Sequence, residues 1–153
     1  MPKEFIMRGS TNTGEEERLE LAGVAKGYGY QLTEFSIYPS GNVATVHQEA
    51  MACITRTLAG QDPVAADFDD DALIGSAFFA TQGGGTSDAN PSPMTSVIND
   101  LAIITQDCLI KVTNYNGASL AGYVNWQVKF KEVKLSGSAE AVANYKQFTL
   151  QTA

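Results

Sequence analysis

Apolar residues recur at every second position along most of the chain, which is the period of a strand with one buried face. The clearest such segment puts Val124, Trp126, Val128 and Phe130 on one face, with polar residues between them. Seven further segments follow a similar pattern: Glu4–Arg8, Glu17–Ala22, Gln31–Tyr38, Val43–Arg56, Ala72–Ala80, Leu101–Thr105 and Cys108–Tyr115. The pattern therefore predicts about eight strands, separated by turns rich in Gly, Pro, Asn and Asp.

The apolar face changes near the end of the last predicted strand. After Phe130, the next apolar positions are Val133 and Leu135, which have the opposite parity. An inserted residue exchanges the two faces of a strand without ending it. We therefore predict a β-bulge near Glu132.

A helical period occurs only near the C terminus, from Ser138 to Phe148. Ser138 is a suitable N-cap, and Ala141, Val142 and Tyr145 share one face with Phe148. We predict one short C-terminal helix whose apolar face docks on its own domain.

These elements predict an all-β fold, an antiparallel β-sandwich or jelly roll of about eight strands. Strands do not alternate with helices, which excludes the nucleotide-binding α/β folds. The 153 residues fit a single β-sandwich domain, residues 1–153.

The net charge of the chain excludes some classes of binding partner. Lys and Arg number 10 against 17 for Asp and Glu, so the formal net charge is −7. A nucleic acid and an anionic membrane surface both attract basic proteins, so we expect neither as a partner. No apolar run reaches the roughly 20 residues of a spanning helix, and the first residues lack the features of a signal peptide. We expect assembly in a cytoplasm, with Cys53 and Cys108 as buried thiols.

Catalytic patterns are weak in this sequence. His47 is the single histidine, and no G-x-S-x-G motif offers it an activated serine. Gly83–Gly85 lacks the Lys-Ser/Thr ending of a phosphate-binding loop. We therefore predict no catalytic residues, no cofactor and no enzymatic activity. The weaker alternative is a small hydrolase or isomerase that uses His47 or the acidic cluster around Asp67, Asp69 and Asp71.

An acidic cluster raises the question of a cation site, because calcium takes several carboxylate oxygens. Asp67, Asp69 and Asp71 have the spacing of the first EF-hand ligands, but Ala72 replaces the turn glycine and Phe78 replaces the bidentate Glu. We predict a solvated turn whose aspartates bond to nearby backbone amides, and no metal site. Whether these three aspartates bind a cation is left open.

Exposed aromatic residues offer a way to bind sugars. Trp126 shares its face with other apolar residues, so we predict that it belongs to the core. Tyrosines near turns are better candidates for stacking on a saccharide, and they include Tyr28, Tyr30, Tyr38, Tyr115 and Tyr123.

Short strand and turn segments carry a resemblance to a known group of proteins. They are Leu32–Ser40, Val97–Asp100 together with Ile104–Asp107, and Val124–Gln127. These segments resemble small virion-associated proteins of tailed bacteriophages of marine bacteria. The resemblance implies a non-enzymatic structural protein of the virion and transfers no site residues.

Within that setting we expect a capsid decoration (cement) subunit, and a negative charge suits the outside of a capsid. Its partners would be the major capsid protein and further copies of itself in a homo-oligomer, and its location would be the virion, assembled in the host cytoplasm. One alternative is a receptor- or glycan-binding attachment module that uses loop residues such as Tyr38, Tyr115 and Tyr123. Another is a single jelly-roll protein that forms the capsid shell.

Overall fold

The computed structural model describes residues 3–21, 27–39, 48–56, 61–82, 90–91, 94–116, 119–120 and 122–137. Within them the strands are β1 (Glu4–Asn12), β2 (Glu16–Leu19), β3 (Tyr28–Pro39), β4 (Gln48–Thr55), β5 (Leu73–Gln82), β6 (Asn90–Pro91), β7 (Thr95–Ile98), β8 (Cys108–Asn116), β9 (Ser119–Leu120) and β10 (Tyr123–Lys134). A short 3₁₀ turn covers Pro63–Ala65. The predicted C-terminal helix, Ser138–Phe148, lies outside the described residues.

The strands form two antiparallel sheets. The smaller sheet has three strands in the order β1-β10-β3. The larger sheet follows the order β2-β8-β4-β5-β6, and the short strands β7 and β9 pair with β5 and β8. The two sheets form a β-sandwich, so the predicted all-β, antiparallel fold is confirmed.

The core lies between the two sheets, as the alternation along the strands predicts. From the smaller sheet it receives Leu32, Phe35, Ile37, Val124, Val128 and Phe130. From the larger sheet it receives Ala50, Ala52, Ile54, Ile74, Ile110 and Val112. Burying each large apolar side chain contributes about 1.5–3 kcal/mol, so these two faces supply most of the driving force for packing.

Trp126 joins both sheets from within this core, and its predicted core position is confirmed because only 6% of its surface is exposed. Its Nε1 donates a hydrogen bond to Thr11 Oγ1 (2.9 Å), and the Thr11 hydroxyl donates to Glu17 Oε2 on β2 of the larger sheet. Gly9 lies directly opposite on β1, where a Cβ atom would stand 2.4 Å from the indole ring. Gly9 therefore gives the ring room to lie over β1.

The predicted bulge near Glu132 is wrong in position. β10 pairs with β1 in one continuous register, and the irregularity is on β3, where Lys129 pairs with Glu34 but Phe130 pairs with Leu32. Thr33 is therefore the additional residue. Its insertion lets both Leu32 and Phe35 face the core although an odd number of positions separates them.

The strand prediction also fails in one connection. Leu101–Thr105 is not a strand, because only Ile104 forms an isolated bridge, with Tyr30 of β3. Ahead of this segment in the chain, Thr95–Ile98 forms β7 by pairing with β5. Thr95 and Ser96 are exposed and the segment shows no clean alternation, so its pairing depends on β5 and not on its own pattern.

Candidate functional site

The acidic segment is a structured turn whose aspartates bond to the backbone. Asp62 Oδ1 accepts the Val64 N–H at 3.0 Å. Asp67 Oδ1 likewise accepts the Asp69 N–H at 3.0 Å, and Asp70 Oδ1 accepts the Ala72 N–H at 2.9 Å. The predicted capping role is confirmed for Asp67, and Asp62 and Asp70 have the same role, whereas no such bond is seen for the Asp69 and Asp71 side chains among the described residues. A carboxylate that accepts a nearby backbone N–H stabilises a tight turn.

Gln61 holds the two ends of this turn together. Its Oε1 accepts the Asp67 N–H at 2.8 Å, and its Nε2 donates to Asp70 Oδ2 at 2.7 Å. In the described part of the chain, no three His, Cys, Asp or Glu side chains are grouped so that they could hold a metal ion. The carboxylates at positions 67 and 70 therefore serve the turn itself.

The turn packs over the outer face of the larger sheet. The 3₁₀ turn Pro63–Ala65 contacts β4 and β8, and Pro63 is buried there. Cys53 and Thr55, which point to this outer face of β4, are consequently buried as well. Burial lowers the pKa of Arg56, which directly follows β4, although the negative charge of the nearby Asp71 raises this pKa.

A groove opens where this segment meets β7. It measures about 210 Å³ and is lined by Phe68, Asp70, Asp71, Leu73, Ile74, Gly75, Val97 and Asn99. We call it the apolar groove. The Phe68 side chain is 62% exposed and Val97 is 49% exposed, so two apolar residues face solvent beside two carboxylates. Exposed apolar residues with a polar rim are typical of a protein–protein contact surface.

Further exposed apolar residues lie close to the groove in the chain. Leu101 is 85% exposed and follows Asn99, whose Oδ1 accepts the Leu101 N–H at 3.2 Å. On the outer face of the larger sheet, Phe78 of β5 pairs with Thr95 while Val97 pairs with Ser76, so Phe78 and Val97 are diagonal neighbours. The apolar groove is therefore continuous with an exposed apolar row.

A second groove, of about 310 Å³, lies on the outer face of the three-stranded sheet. We call it the polar groove after the polar side chains at its rim, and its full lining is Arg8, Ser36, Ile37, Tyr38, Asn125, Trp126 and Gln127. Arg8 Nε donates to Gln127 Oε1 at 2.5 Å. Tyr38 lies opposite Asn125 in the strand pairing, and its ring centroid is 6.1 Å from that of Phe79 on β5. This groove offers amide, hydroxyl and guanidinium groups beside the exposed ring of Tyr38, and Ile37 and the buried Trp126 complete its lining.

The tyrosines that the sequence suggested for stacking on a saccharide differ in their exposure. Tyr38 and Tyr123 are exposed, Tyr30 is buried against Phe5 and Phe130, and Tyr28 and Tyr115 are half-buried. Tyr38 alone of these five lines the polar groove. His47 and Gly83–Gly85 lie outside the described residues.

Both cysteines are free, buried thiols, as predicted. Burial raises the pKa of Cys108 to about 12, and Asp107 adds to that effect. Burial also raises the pKa of Cys53, against a hydrogen bond to Ser76 that lowers it. A thiol of raised pKa is a poor nucleophile near neutral pH, so neither group is suited to covalent chemistry.

The apolar groove was not found from the sequence. Phe68 stands between Asp67 and Asp69, and an aromatic residue inside an acidic run is the signal that indicates an exposed anchor. Val97 gave no such signal, since its exposure depends on the pairing of β7 with β5.

Comparison with protein-family models and with curated proteins found no match. Among the described residues, no helix has the length and apolar character needed to cross a membrane.

Proposed function

We propose that the two sheets form a jelly roll and that the chain is a non-enzymatic virus structural protein, a decoration subunit that binds the outer shell of a capsid. The single observation that carries this proposal is the strand order. A jelly roll has eight strands in two sheets, and capsid proteins and lectins use it repeatedly.

The strand order supports this assignment strand by strand. A jelly roll places its first, eighth and third strands side by side in one sheet, and its second, seventh, fourth and fifth in the other. The neighbours β1-β10-β3 and β2-β8-β4-β5 follow that order. The sixth position belongs beside the third strand, where Ile104 exchanges two backbone hydrogen bonds of 2.8 Å with Tyr30.

The apolar groove supports binding to another protein. Interface energy is concentrated in a few well-placed aromatic and apolar residues surrounded by polar groups. Phe68 and Val97 have that arrangement, with Asp70, Asp71 and Asn99 around them. In the proposed function Phe68 inserts into a pocket of the major capsid protein, and no bond is made or broken.

Co-sedimentation with DNA-free capsids tests the decoration role. We expect the protein to pellet with capsids at a fixed stoichiometry, and Phe68→Ala to weaken this binding about tenfold or more. Tyr123→Ala is the matched control, because it truncates an exposed aromatic residue of the other sheet. A wild-type protein that stays in the supernatant contradicts the decoration role, and spontaneous assembly into particles would make it the shell protein.

The polar groove favours a second candidate, a glycan-binding attachment module. Sugars are bound by an aromatic ring against their apolar face and by planar amide or guanidinium groups against their hydroxyls. Tyr38, Asn125 and Arg8 supply these groups on one face. Binding to a panel of saccharides that is lost in Tyr38→Ala and kept in Phe68→Ala would select this function, and absence of binding across the panel would remove it.

A further inference from the structure

The edges of the two sheets are protected unequally. A sheet edge presents unpaired backbone N–H and C=O groups, and natural proteins usually cover, shorten or bend such edges. The outer edge of β3 is covered, because the Ile37 N–H donates to Met94 Sδ at 3.3 Å and Tyr30 pairs with Ile104. In the larger sheet, β2 has four residues and the opposite edge consists of the short strands β6 and β7.

The edge formed by β1 has none of these protections among the described residues. β1 spans nine residues in one register with β10. Lys3 O accepts the Glu132 N–H (2.8 Å) and the Thr13 N–H donates to Gly122 O (3.0 Å), so odd-numbered backbone groups point toward β10. Because backbone direction alternates along a strand, the N–H and C=O groups of Glu4, Ile6 and Arg8 point away from β10.

The side chains of these same residues complement a second copy of the strand. When two copies of β1 run antiparallel with Ile6 opposite Ile6, each Glu4 lies opposite the Arg8 of the other copy. Opposite charges across a strand pair stabilise it, and like charges directly opposite destabilise it. The strand therefore carries two complementary charge pairs around one apolar pair.

Other symmetric registers lack this match. Centring the pair on Arg8 places two guanidinium groups directly opposite one another, which is unfavourable. Centring it on Met7 places Ile6 opposite Arg8 and Glu4 opposite Ser10, with no charge pair. Only the Ile6 register places a carboxylate opposite each Arg8 guanidinium.

We propose that β1 pairs antiparallel with β1 of a second copy of this chain, with Ile6 opposite Ile6, so that two three-stranded sheets join into one. Three residue pairs exchange about six backbone hydrogen bonds across the two-fold axis. Ile6, whose side chain is 58% exposed, packs against its symmetry mate. On the inner face, the partly exposed Phe5 of each copy lies opposite Met7 of the other.

The charged side chains are already held on the required face. Glu4 Oε2 lies 3.5 Å from Lys129 Nζ, and Arg8 Nε donates to Gln127 Oε1, so both charged side chains lie on the outer face of the sheet. The guanidinium and the carboxylate each keep further hydrogen-bonding capacity for the opposite charge of the second copy. This self-association goes beyond the proposed function, because it uses the edge of the smaller sheet whereas the capsid contact uses the apolar groove. The two proposals therefore fail independently.

Charge exchange tests the pairing and its register together. We expect the wild-type protein to sediment at twice its chain mass of 16.3 kDa, and Arg8→Glu or Glu4→Arg alone to weaken the dimer about tenfold or more. The double variant Glu4→Arg/Arg8→Glu restores the wild-type dissociation constant. An equimolar mixture of the two single variants forms a heterodimer, because each variant supplies the charge that the other lacks.

Matched controls change the same charges elsewhere. Lys134→Glu lies at the exposed end of β10 and Glu20→Arg lies just after β2 of the larger sheet, so neither changes the dissociation constant beyond a general charge effect. A wild-type protein that is monomeric at about 100 μM overturns the proposal. So does a dimer that Arg8→Glu leaves unchanged, or single variants that do not form a heterodimer.

A disulfide provides a second readout. Residues directly opposite in a hydrogen-bonded pair have Cα atoms about 5.5 Å apart, which a disulfide can bridge. Ile6→Cys is therefore expected to give a covalent dimer on mild oxidation, whereas Ser10→Cys is not, and the native thiols are buried. Equal cross-linking of the two variants contradicts the register.

Discussion

β1 and β3 pair with opposite sides of β10, yet they end the three-stranded sheet in different ways. β1 keeps one register throughout, and its outward backbone groups have no partner among the described residues. β3 contains the inserted Thr33, and its outward groups bond to Met94 and Ile104. Protection of a sheet edge therefore comes from segments distant in the sequence. Two strands that pair with the same neighbour can consequently differ in whether their outer edge is covered.

Deletion of Thr33 is expected to have the largest effect on stability among tests of this difference, because it gives β3 the same uninterrupted register as β1. A one-residue slip moves Tyr30 and Leu32 from the core to the outer face, since the side-chain period of a strand is two. Losing the burial of both side chains costs about 3–6 kcal/mol in the free energy of unfolding. Urea denaturation followed by tryptophan fluorescence measures the loss.

Thr33→Ala is the control for that deletion. It keeps the residue count and removes the exposed γ-methyl group together with the hydroxyl that donates to Lys129 O at 3.1 Å. This exposed hydrogen bond contributes about 1 kcal/mol or less. Equal losses for the deletion and Thr33→Ala would show that the inserted residue does not set the register.

The apolar pattern along the chain predicted much of this fold because each sheet has one buried face. The alternation around Trp126 identified the central strand, and the lack of helical periods before Ser138 indicated the fold class. The predicted bulge position is wrong because Val133 continues the regular register of β10 and Leu135 lies beyond the end of the strand. The effective signal was the odd spacing of Leu32 and Phe35, both of which are buried.

The surfaces were harder to predict because they depend on pairing between distant segments. The capping of the acidic turn follows from local chemistry, so Asp67 and Asp70 could be assigned from the sequence. The exposure of Val97 follows from the pairing of β7 with β5, and the open edge of β1 follows from the lack of a neighbouring strand in the described part of the chain. Neither property is encoded in a local pattern.

Trp126→Ala removes the side chain against which both edge strands pack. Gly9 on β1 and Ile37 on β3 lie opposite Trp126 from the two sides. We expect a loss of about 3–5 kcal/mol, because a large buried aromatic side chain leaves a cavity. Thermal unfolding measured by circular dichroism suits this variant, which lacks the only tryptophan. A loss under about 1 kcal/mol would contradict the core assignment.

Gly9→Ala acts on the β1 side alone. A Cβ atom 2.4 Å from the indole ring forces the ring or the strand to move, at a cost of about 1–3 kcal/mol. In the Trp126→Ala background the same substitution has little cost, because the ring is absent. A double-mutant cycle measures this coupling, and additive effects would show that the ring does not lie over Gly9.

Hydrogen exchange compares the two edges without changing stability. The Tyr30 amide on the outer edge of β3 donates to Ile104 O at 2.8 Å, so it exchanges slowly. The Ile6 amide on the outer edge of β1 exchanges near its intrinsic rate in dilute protein, because its direction leaves it open to water. As the protein concentration rises, Ile6 becomes protected while Tyr30 does not change, since only the β1 edge gains a partner. Exchange at Ile6 that is slow at every concentration would mean that the edge is already covered within one chain.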